Sequence, residues 1–430
     1  MKQNSVAAGW LSVLCAGLGQ WYNKQYSKGL LFVLIHATGV YLISTTLLTK
    51  IKGLITLGDQ GQHLEKVGKI FKNVPGDHSI FMMIYGVLSV IIVALYIVFY
   101  ILNIRDAVAV GRKRDSGSAV KGLNNDIFPW ALLALPIIGV LFFTIMPIVF
   151  TSLLAFTNYA SPNHIPPKNL VDWVGFDTFH KLFNMNVWAD TFTGVLTWTI
   201  IWAVLATVTC YFGGILVALL INQQGIKLKG FWRMLFIIPY AIPQFVSLLI
   251  MRNMLNEKFG PINQYFRYFG LEGLPWLNDP FWAKVSVIVV NMWIGIPVSM
   301  VLVMGILTTI PKDLYEAADV DGASAWMKFR NITMPYVLFA TAPILITQFA
   351  GNINSFNVIF LLTSGNPATM KYNNAGQTDL LVTWLYKLTL DFNQYNIAAT
   401  VAILLFLIIA VMSVLLYSRT RSFKEEDMIQ

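Results

Sequence analysis

A chain of 430 residues with 56% hydrophobic and only 12% charged side chains has about half the charge fraction of a soluble domain, so it cannot clothe a water-facing globule. Its formal net charge of +9 fits a nucleic-acid partner by sign alone. The Lys and Arg residues fall between apolar blocks rather than on one patch, however, which excludes that partner and points to membrane orientation.

In chain order, residues 6–22 are weakly apolar and Gly-rich, with Lys2 ahead of them and no small-residue cleavage site behind. This pattern predicts an interfacial or re-entrant segment rather than a cleaved leader. Apolar runs then place eight spans near 30–48, 80–103, 128–156, 193–221, 235–255, 285–307, 339–363 and 397–417. Runs of this length match the hydrocarbon core of a bilayer. Each is expected to be helical, because a backbone in lipid must satisfy its own hydrogen bonds and the alternation of a membrane barrel is absent. The fold class is therefore an all-α polytopic membrane protein of about eight transmembrane helices.

Basic residues set the orientation. Arg105, Arg112, Lys113, Arg114 and Lys121 crowd the second loop, Lys227, Lys229 and Arg233 the fourth, and Arg419, Arg421 and Lys424 the tail. Those loops belong in the cytoplasm. An even number of spans puts both termini there, in agreement with Lys2, Lys24 and Lys28. Lys50, Lys52, Lys66, Lys69 and Lys72 run against the rule, since this topology places the first loop outside. The prolines Pro239 and Pro243 in the fifth run, Pro297 in the sixth and Pro343 in the seventh predict kinks or breaks.

Between the sixth and seventh runs, IPKDLYEAADVDGASAWMKFRNITMP (310–335) is too polar to span and too patterned for a linker. Asp313 is expected to cap a short helix through Val320, and Asp321-Gly322 to stop it with a left-handed turn. A second helix is expected over 323–330, with Pro335 opening the next span. The two short helices make a docking plug at the inner membrane face, or else a solvated amphipathic loop.

Glu316-Ala317-Ala318, followed at fixed spacing by Gly322, Ile332 and Met334-Pro335, resembles the EAA motif of ABC importer permeases, with Met334 replacing the usual Leu. The stretches LFFTIMPIVFTSLLAFTNYASPNH, FWRMLFIIPYAIPQ, NMWIGIPVSMVLVMGILTTIPKDLYEAADVDGA and AGQTDLLVTWLYKL extend the likeness, over about 128–421, to MalF-type maltose and maltodextrin permeases. The first two spans match that family poorly. The large insertion that enterobacterial subunits carry after the third span has no room in residues 158–190.

The resemblance implies an ABC importer type I permease fold and a domain plan. Residues 1–127 form an N-terminal segment with two transmembrane helices, and 128–192 a third helix with a short extracytoplasmic loop. A permease core follows over 193–421 with its coupling loop at 310–335, and then a cytoplasmic tail at 422–430. It implies that Glu316, Ala317, Ala318, Asp321 and Gly322 couple to the ATPase. It further implies a second, MalG-like permease chain, two ATP-binding cassette subunits, an extracellular sugar-binding protein and an oligosaccharide cargo, all at the bacterial cytoplasmic membrane.

Recognition of a sugar at membrane depth needs hydrogen-bonding groups within a polar cavity. In the seventh run Gln348, Asn352, Ser355 and Ile359 follow i, i+4, i+7, i+11 spacing, predicting one helical face with Gly351 beside it. Ile294, Gly295 and Val298 stand at comparable depth beside Pro297. The amides suit interhelical bridging equally well, at about 1 kcal/mol each. The resemblance implies sugar contacts at positions matching Ile294, Gly295, Val298, Gln348, Gly351, Asn352 and Ser355. Asn354 and Asn357 are assigned to helix contacts, and Trp173, Trp276 and Trp384 to interface anchoring or ring stacking.

The chain has neither a G-x-x-x-x-G-K-[ST] phosphate loop nor H-E-x-x-H. It is therefore expected to be a transporter subunit rather than an enzyme, with no cofactor or metal of its own. The two cysteines, Cys15 and Cys210, are too far apart in sequence for a C-x-x-C site. An ion-coupled secondary transporter is the alternative, but it would need ionisable residues within the spans, where almost none occur.

Overall fold

The computed structural model describes residues 3–67, 70–116, 123–165, 169–223 and 225–418. Its contacts divide into two units, Met1–Gly175 and Phe176–Gln430. That division falls inside the stretch grouped above as 128–192. The tail at 422–430, with Arg419, Arg421 and Lys424, lies outside the described residues, as do Lys2, Lys69 and Lys121.

In the first unit, α1 (Gln3–Leu14) and α2 (Leu18–Tyr22) precede α3 (Tyr26–Leu42), which runs through a π turn at Ile43–Leu47 into α4 (Leu48–Thr56). An antiparallel hairpin follows, β1 (His63–Val67) and β2 (Ile70–Val74), with Glu65 opposite Lys72. Then come α5 (Ser79–Asp115) and α6 (Leu123–Val140), the latter joined through a π turn at Leu141–Ile145 to α7 (Met146–Leu154). The 37 residues of α5 extend about 55 Å at helical rise, well beyond the hydrocarbon thickness of about 30 Å. Arg112, Lys113 and Arg114 in its last turn complement the negative end of the helix dipole.

The N-terminal segment finds its partner along the far half of α5. Asp115 accepts from the Asn4 side chain at 2.8 Å and from the Ser5 backbone N–H at 3.2 Å, placing a carboxylate at the N-terminus of α1. Asn103 accepts from the Gly17 N–H at 3.2 Å, and Asp106 pairs with Lys28 at 2.7 Å while accepting from Gln20 at 3.1 Å. Residues 3–28 are therefore clamped to a neighbouring helix by polar contacts.

The lysines that broke the orientation rule are not all in a loop. Lys50 and Lys52 belong to α4, and the Lys50 ammonium sits 5.2 Å from the centre of the Tyr85 ring. Lys66 and Lys72 lie on the hairpin.

The second unit contains α8 (Asp177–Asn184), α9 (Asn186–Asn222), α10 (Lys229–Ala241), α11 (Gln244–Met254), α12 (Pro261–Tyr268) and α13 (Pro280–Leu307). After these come α14 (Lys312–Val320), α15 (Ala325–Lys328), a π turn at Phe329–Thr333, α16 (Met334–Ile353) and α17 (Phe356–Leu362). The last elements are α18 (Leu381–Leu390) and α19 (Tyr395–Tyr417). Asp279 caps α13 by accepting from the N–H groups of Phe281 and Trp282 at 2.9 and 3.0 Å.

Helices α9 and α13 meet along a seam of small residues. A side chain at Gly214 would strike Ser299, one at Gly213 would strike Ile296, and one at Gly295 would strike Cys210. Such seams let helix backbones approach closely where the hydrophobic effect supplies no drive between them. Trp198, Trp202, Leu248, Val287 and Ile359 form one buried cluster, and Phe192, Leu381, Trp384 and Val401 belong to another.

Among the described residues, 7 helices are long and apolar enough to cross a membrane, or 8 if α10 and α11 count as one span. The run expected at 235–255 is thus not a single helix. Pro239 lies within α10, Pro243 precedes α11, and the chain bends by 89° between the two. Pro243 offers no N–H to continue the helical ladder, and the residue before a proline is pushed to extended backbone, as Ile242 is here (φ −83°, ψ 131°).

Candidate functional site

The loop between α13 and α16 forms its first helix as the sequence predicts, but by different means. α14 starts behind Pro311, which makes no side-chain cap, and Asp313 lies within the first turn instead of capping it. There its charge still favours the helix dipole. Asp321 ends the helix, and Gly322 takes φ +74° with no atom within 4 Å of where a Cβ would stand. The glycine is needed for its backbone conformation and not for space.

Glu316, Ala317, Asp321 and Gly322 are exposed, and Ala318 is half-buried. Val320, Trp326 and Met327 are also exposed, giving a polar loop an apolar tip. The loop is braced by a Tyr315–Thr333 hydroxyl contact at 2.8 Å and an exposed Lys328–Asp319 ion pair at 2.5 Å.

The second helix expected over 323–330 forms from Ala325 but is not separate from the span that follows it. Ser324 caps α15 by accepting from the Met327 N–H at 3.3 Å, and α15 then continues through the π turn into α16. Pro335 therefore sits inside a continuous helical run and does not open it. The wider π turn falls where Pro335 has no N–H to donate.

The polar stripe of the seventh run is interrupted. α16 ends at Ile353, Asn354 and Ser355 leave helical backbone, and α17 restarts at Phe356. Gln348 and Asn352 share a face, but Ser355 stands at the break and Ile359 is fully buried in the core. The run Gly351-Asn352-Ile353-Asn354-Ser355 is rich in turn-forming residues, and its N–H groups close short bonds, Asn354 to Gly351 and Ser355 to Asn352, both 3.2 Å.

Asn352 is held from α9. Its carbonyl accepts from the Trp202 indole at 3.1 Å, and its side-chain amide donates to Thr207 at 2.9 Å. Trp202 and Thr207 escaped the sequence reading because they lie about 150 residues away on another apolar helix. Gly351 is exposed with open space about it, whereas Gly295 faces the Cys210 sulfur. Gly295 therefore serves helix contact. Ile294 borders the Trp198–Trp202 cluster, Val298 is exposed, and Gln348 is half-buried.

Asn354 and Asn357 are both exposed; Asn357 makes the expected helix contact, donating to Gln244 of α11 at 3.4 Å, whereas Asn354 stands at the break between α16 and α17. Trp384 is neither an interface anchor nor a stacking surface. It is fully buried and donates to the Asn373 carbonyl at 3.1 Å. Trp276 donates to Asn263 at 2.8 Å and Trp173 to the Ile55 carbonyl at 3.0 Å.

Between α17 and α18 the chain builds a rigid turn on one buried carboxylate. Asp379 accepts from the Gly376 N–H at 2.7 Å, the Thr383 hydroxyl at 2.8 Å and the Lys387 ammonium at 2.6 Å. Gly365, at φ +78°, leaves the space that this carboxylate occupies. Burial pushes the Asp379 carboxyl above the usual carboxylate range, against the opposing pull of the Lys387 charge and of these hydrogen bonds.

Residues 210–422 match the family described as binding-protein-dependent transport system inner membrane component. The chain is 38% identical, over 99% of its length and 100% of the relative's, to a galactooligosaccharides transport system permease protein of Bacillus subtilis. It is 37% identical, over 98% of its length and 97% of the relative's, to a maltodextrin transport system permease protein of the same organism. A maltose/maltodextrin permease protein of Klebsiella aerogenes matches at 36% over 58% of this chain and 49% of its own. The architecture is similar to a chain of a crystallised bacterial ABC transporter involved in alginate import, with TM-score 0.56 and 23% identity, covering 70% of this chain and 97% of that one.

Proposed function

The chain belongs to the family of binding-protein-dependent ABC transport permeases, and we propose from this premise that it moves maltodextrin-type oligosaccharides across the bacterial cytoplasmic membrane. The observation that carries the reading is full-length similarity to permeases of two oligosaccharide systems, joined to an exposed short-helix loop in this chain. In this reading residues 193–421 are the permease core and 310–335 its coupling loop. Residues 1–127 add two helices, 128–192 a third with a short outer loop, and 422–430 a cytoplasmic tail. Both termini face the cytoplasm.

Glu316, Ala317, Ala318, Asp321 and Gly322 present the docking surface to an ATP-binding cassette subunit. The exposed Val320, Trp326 and Met327 support this assignment, since apolar side chains on a polar loop gain by being covered. A second, MalG-like permease completes the pathway, two ATPase subunits drive it, and an extracellular binding protein delivers the sugar. Nucleotide-driven closure of the ATPases moves the loop and rocks the helices between inward-facing and outward-facing states.

Cargo contact falls to Gln348, Gly351, Asn352 and Ser355 at the end of α16, with Ile294 and Val298 on α13. A break in a membrane helix frees backbone and amide groups that lipid cannot satisfy and a cavity can. Gly295 shapes this wall by letting α13 approach α9. The relatives are named for two glycans at nearly equal identity, 38% and 37%, so the cargo is decided by comparing labelled maltotriose with a galacto-oligosaccharide of equal length. The assay is uptake by the reconstituted four-component importer. Preference for maltotriose supports the proposal, and uptake of the galactosyl sugar alone replaces the cargo.

A further inference from the structure

α17 has one buried side and one open side. Val358, Ile359 and Leu362 are buried, whereas Phe356, Asn357 and Phe360 point the other way by helical geometry and are exposed or only half-buried. Phe356 and Phe360 stand one turn apart with their rings 4.8 Å from centre to centre and inclined by 21°. Tyr386 of α18 closes on both, at 5.0 and 4.9 Å. The three rings form a continuous aromatic ledge that is half-buried at each residue.

Beside the ledge, the amide of Asn357 meets the amide of Gln244 at 3.4 Å, and Asn354 at the helix break is exposed. Primary amides are costly to turn toward lipid. This face of α17 therefore borders water or another polar surface. Aromatic rings flanked by amides are the chemistry that recognises carbohydrate, with C–H groups of a pyranose lying on the rings and its hydroxyls bonding the amides.

We propose that Phe356, Phe360 and Tyr386, with Asn357 and Gln244, form a second carbohydrate subsite that holds the sugar units of an oligosaccharide extending past Asn352. The inference rests on the assignment of Asn352 and Ser355 to cargo contact, since Phe356 directly follows Ser355 in the chain. A disaccharide is held at the break alone. A chain of four units reaches the ledge, so the ledge favours longer cargo.

The test uses the complete reconstituted importer and reads the ratio of maltotetraose to maltose uptake. Phe360→Leu and Tyr386→Leu should each lower this ratio about tenfold, the factor that 1.4 kcal/mol represents, while Tyr386→Phe keeps it, since ring stacking needs no hydroxyl. If neither Leu variant assembles, Asn357→Ala on the amide side of the same face should lower the ratio in the same sense. An unchanged ratio, or an equal fall for both sugars, overturns the subsite. If the wild type carries the galactosyl series instead, the same ratio is read with its four-unit and two-unit members. Failure of the wild type to take up either series overturns the cargo assignment itself, an outcome distinct from an unchanged ratio.

Discussion

The side-chain amide of Asn352 donates to the hydroxyl of Thr207 at 2.9 Å, so α9 sets the orientation of the amide at the end of the broken helix. A single hydrogen bond of this kind contributes about 1 kcal/mol, or roughly a fivefold change in an equilibrium constant. Thr207→Val should raise the KM for sugar uptake about fivefold with the maximal rate preserved. Asn352→Leu should reduce uptake by more than Thr207→Val does while the chain still inserts and assembles. Kinetics of labelled sugar uptake check both, and unchanged uptake in Asn352→Leu removes that residue from the cargo path.

Gly295 tests whether a matching position is a contact or a spacer. Its missing Cβ would strike the Cys210 sulfur, so Gly295→Ala should push α13 from α9 and lower both the thermal midpoint and transport. Cys210→Ala removes the sulfur and should recover part of both losses in the double variant. If Gly295 instead touches cargo, the second substitution restores nothing. Thermal unfolding in detergent and uptake, measured on the same four chains, distinguish the two.

The Lys387–Asp379 pair, 2.6 Å apart around a fully buried carboxylate, is a stability element with a definite pH sign. Lys387→Met leaves that charge uncompensated and should cost about 3 kcal/mol or more. A carboxyl raised above its unfolded value favours the folded state at low pH and loses that contribution as pH rises through the folded value. Lys387→Met raises the carboxyl further, so its midpoint should recover on acidification from neutral pH toward the ordinary carboxylate range. Asp379→Asn in the same background should remove that recovery, and a flat pH profile in Lys387→Met alone would contradict the assignment.

At the coupling loop, Gly322 holds φ +74° in open space. Gly322→Ala should therefore be mild, at about 1 kcal/mol. Gly322→Pro cannot adopt that φ and should abolish sugar-dependent stimulation of ATP hydrolysis with the chain still inserted. Glu316→Lys should do the same by reversing the charge offered to the partner. Normal stimulation in both variants would remove the loop from the coupling path.

Much of the second unit is legible in the sequence because lipid leaves few choices. Long apolar runs become α9, α13 and α19, Pro239 and Pro243 mark the bend between α10 and α11, and Gly322 marks the end of α14. The break after Ile353 is harder to read because hydropathy continues across it. Only the Asn–Ser–Gly content of 351–355 hints at it, and no proline signals it. The clamp of residues 3–28 onto α5 depends on partners distant in the chain and leaves no periodic pattern. Asp379, Thr383 and Lys387 do stand at i, i+4 and i+8, but nothing in that spacing marks the carboxylate as buried. Trp384 reads as an interface residue by type and is buried by tertiary contact.

The measurement that tests the account most directly is uptake of labelled maltotriose into proteoliposomes holding this chain, its partner permease, the ATPase subunits and the binding protein. It is made with and without internal ATP, with and without an imposed ion gradient, and with this chain alone as well as with the full set. The account predicts uptake that needs internal ATP and all the components. Uptake by this chain alone, driven by an ion gradient and indifferent to ATP, would contradict it.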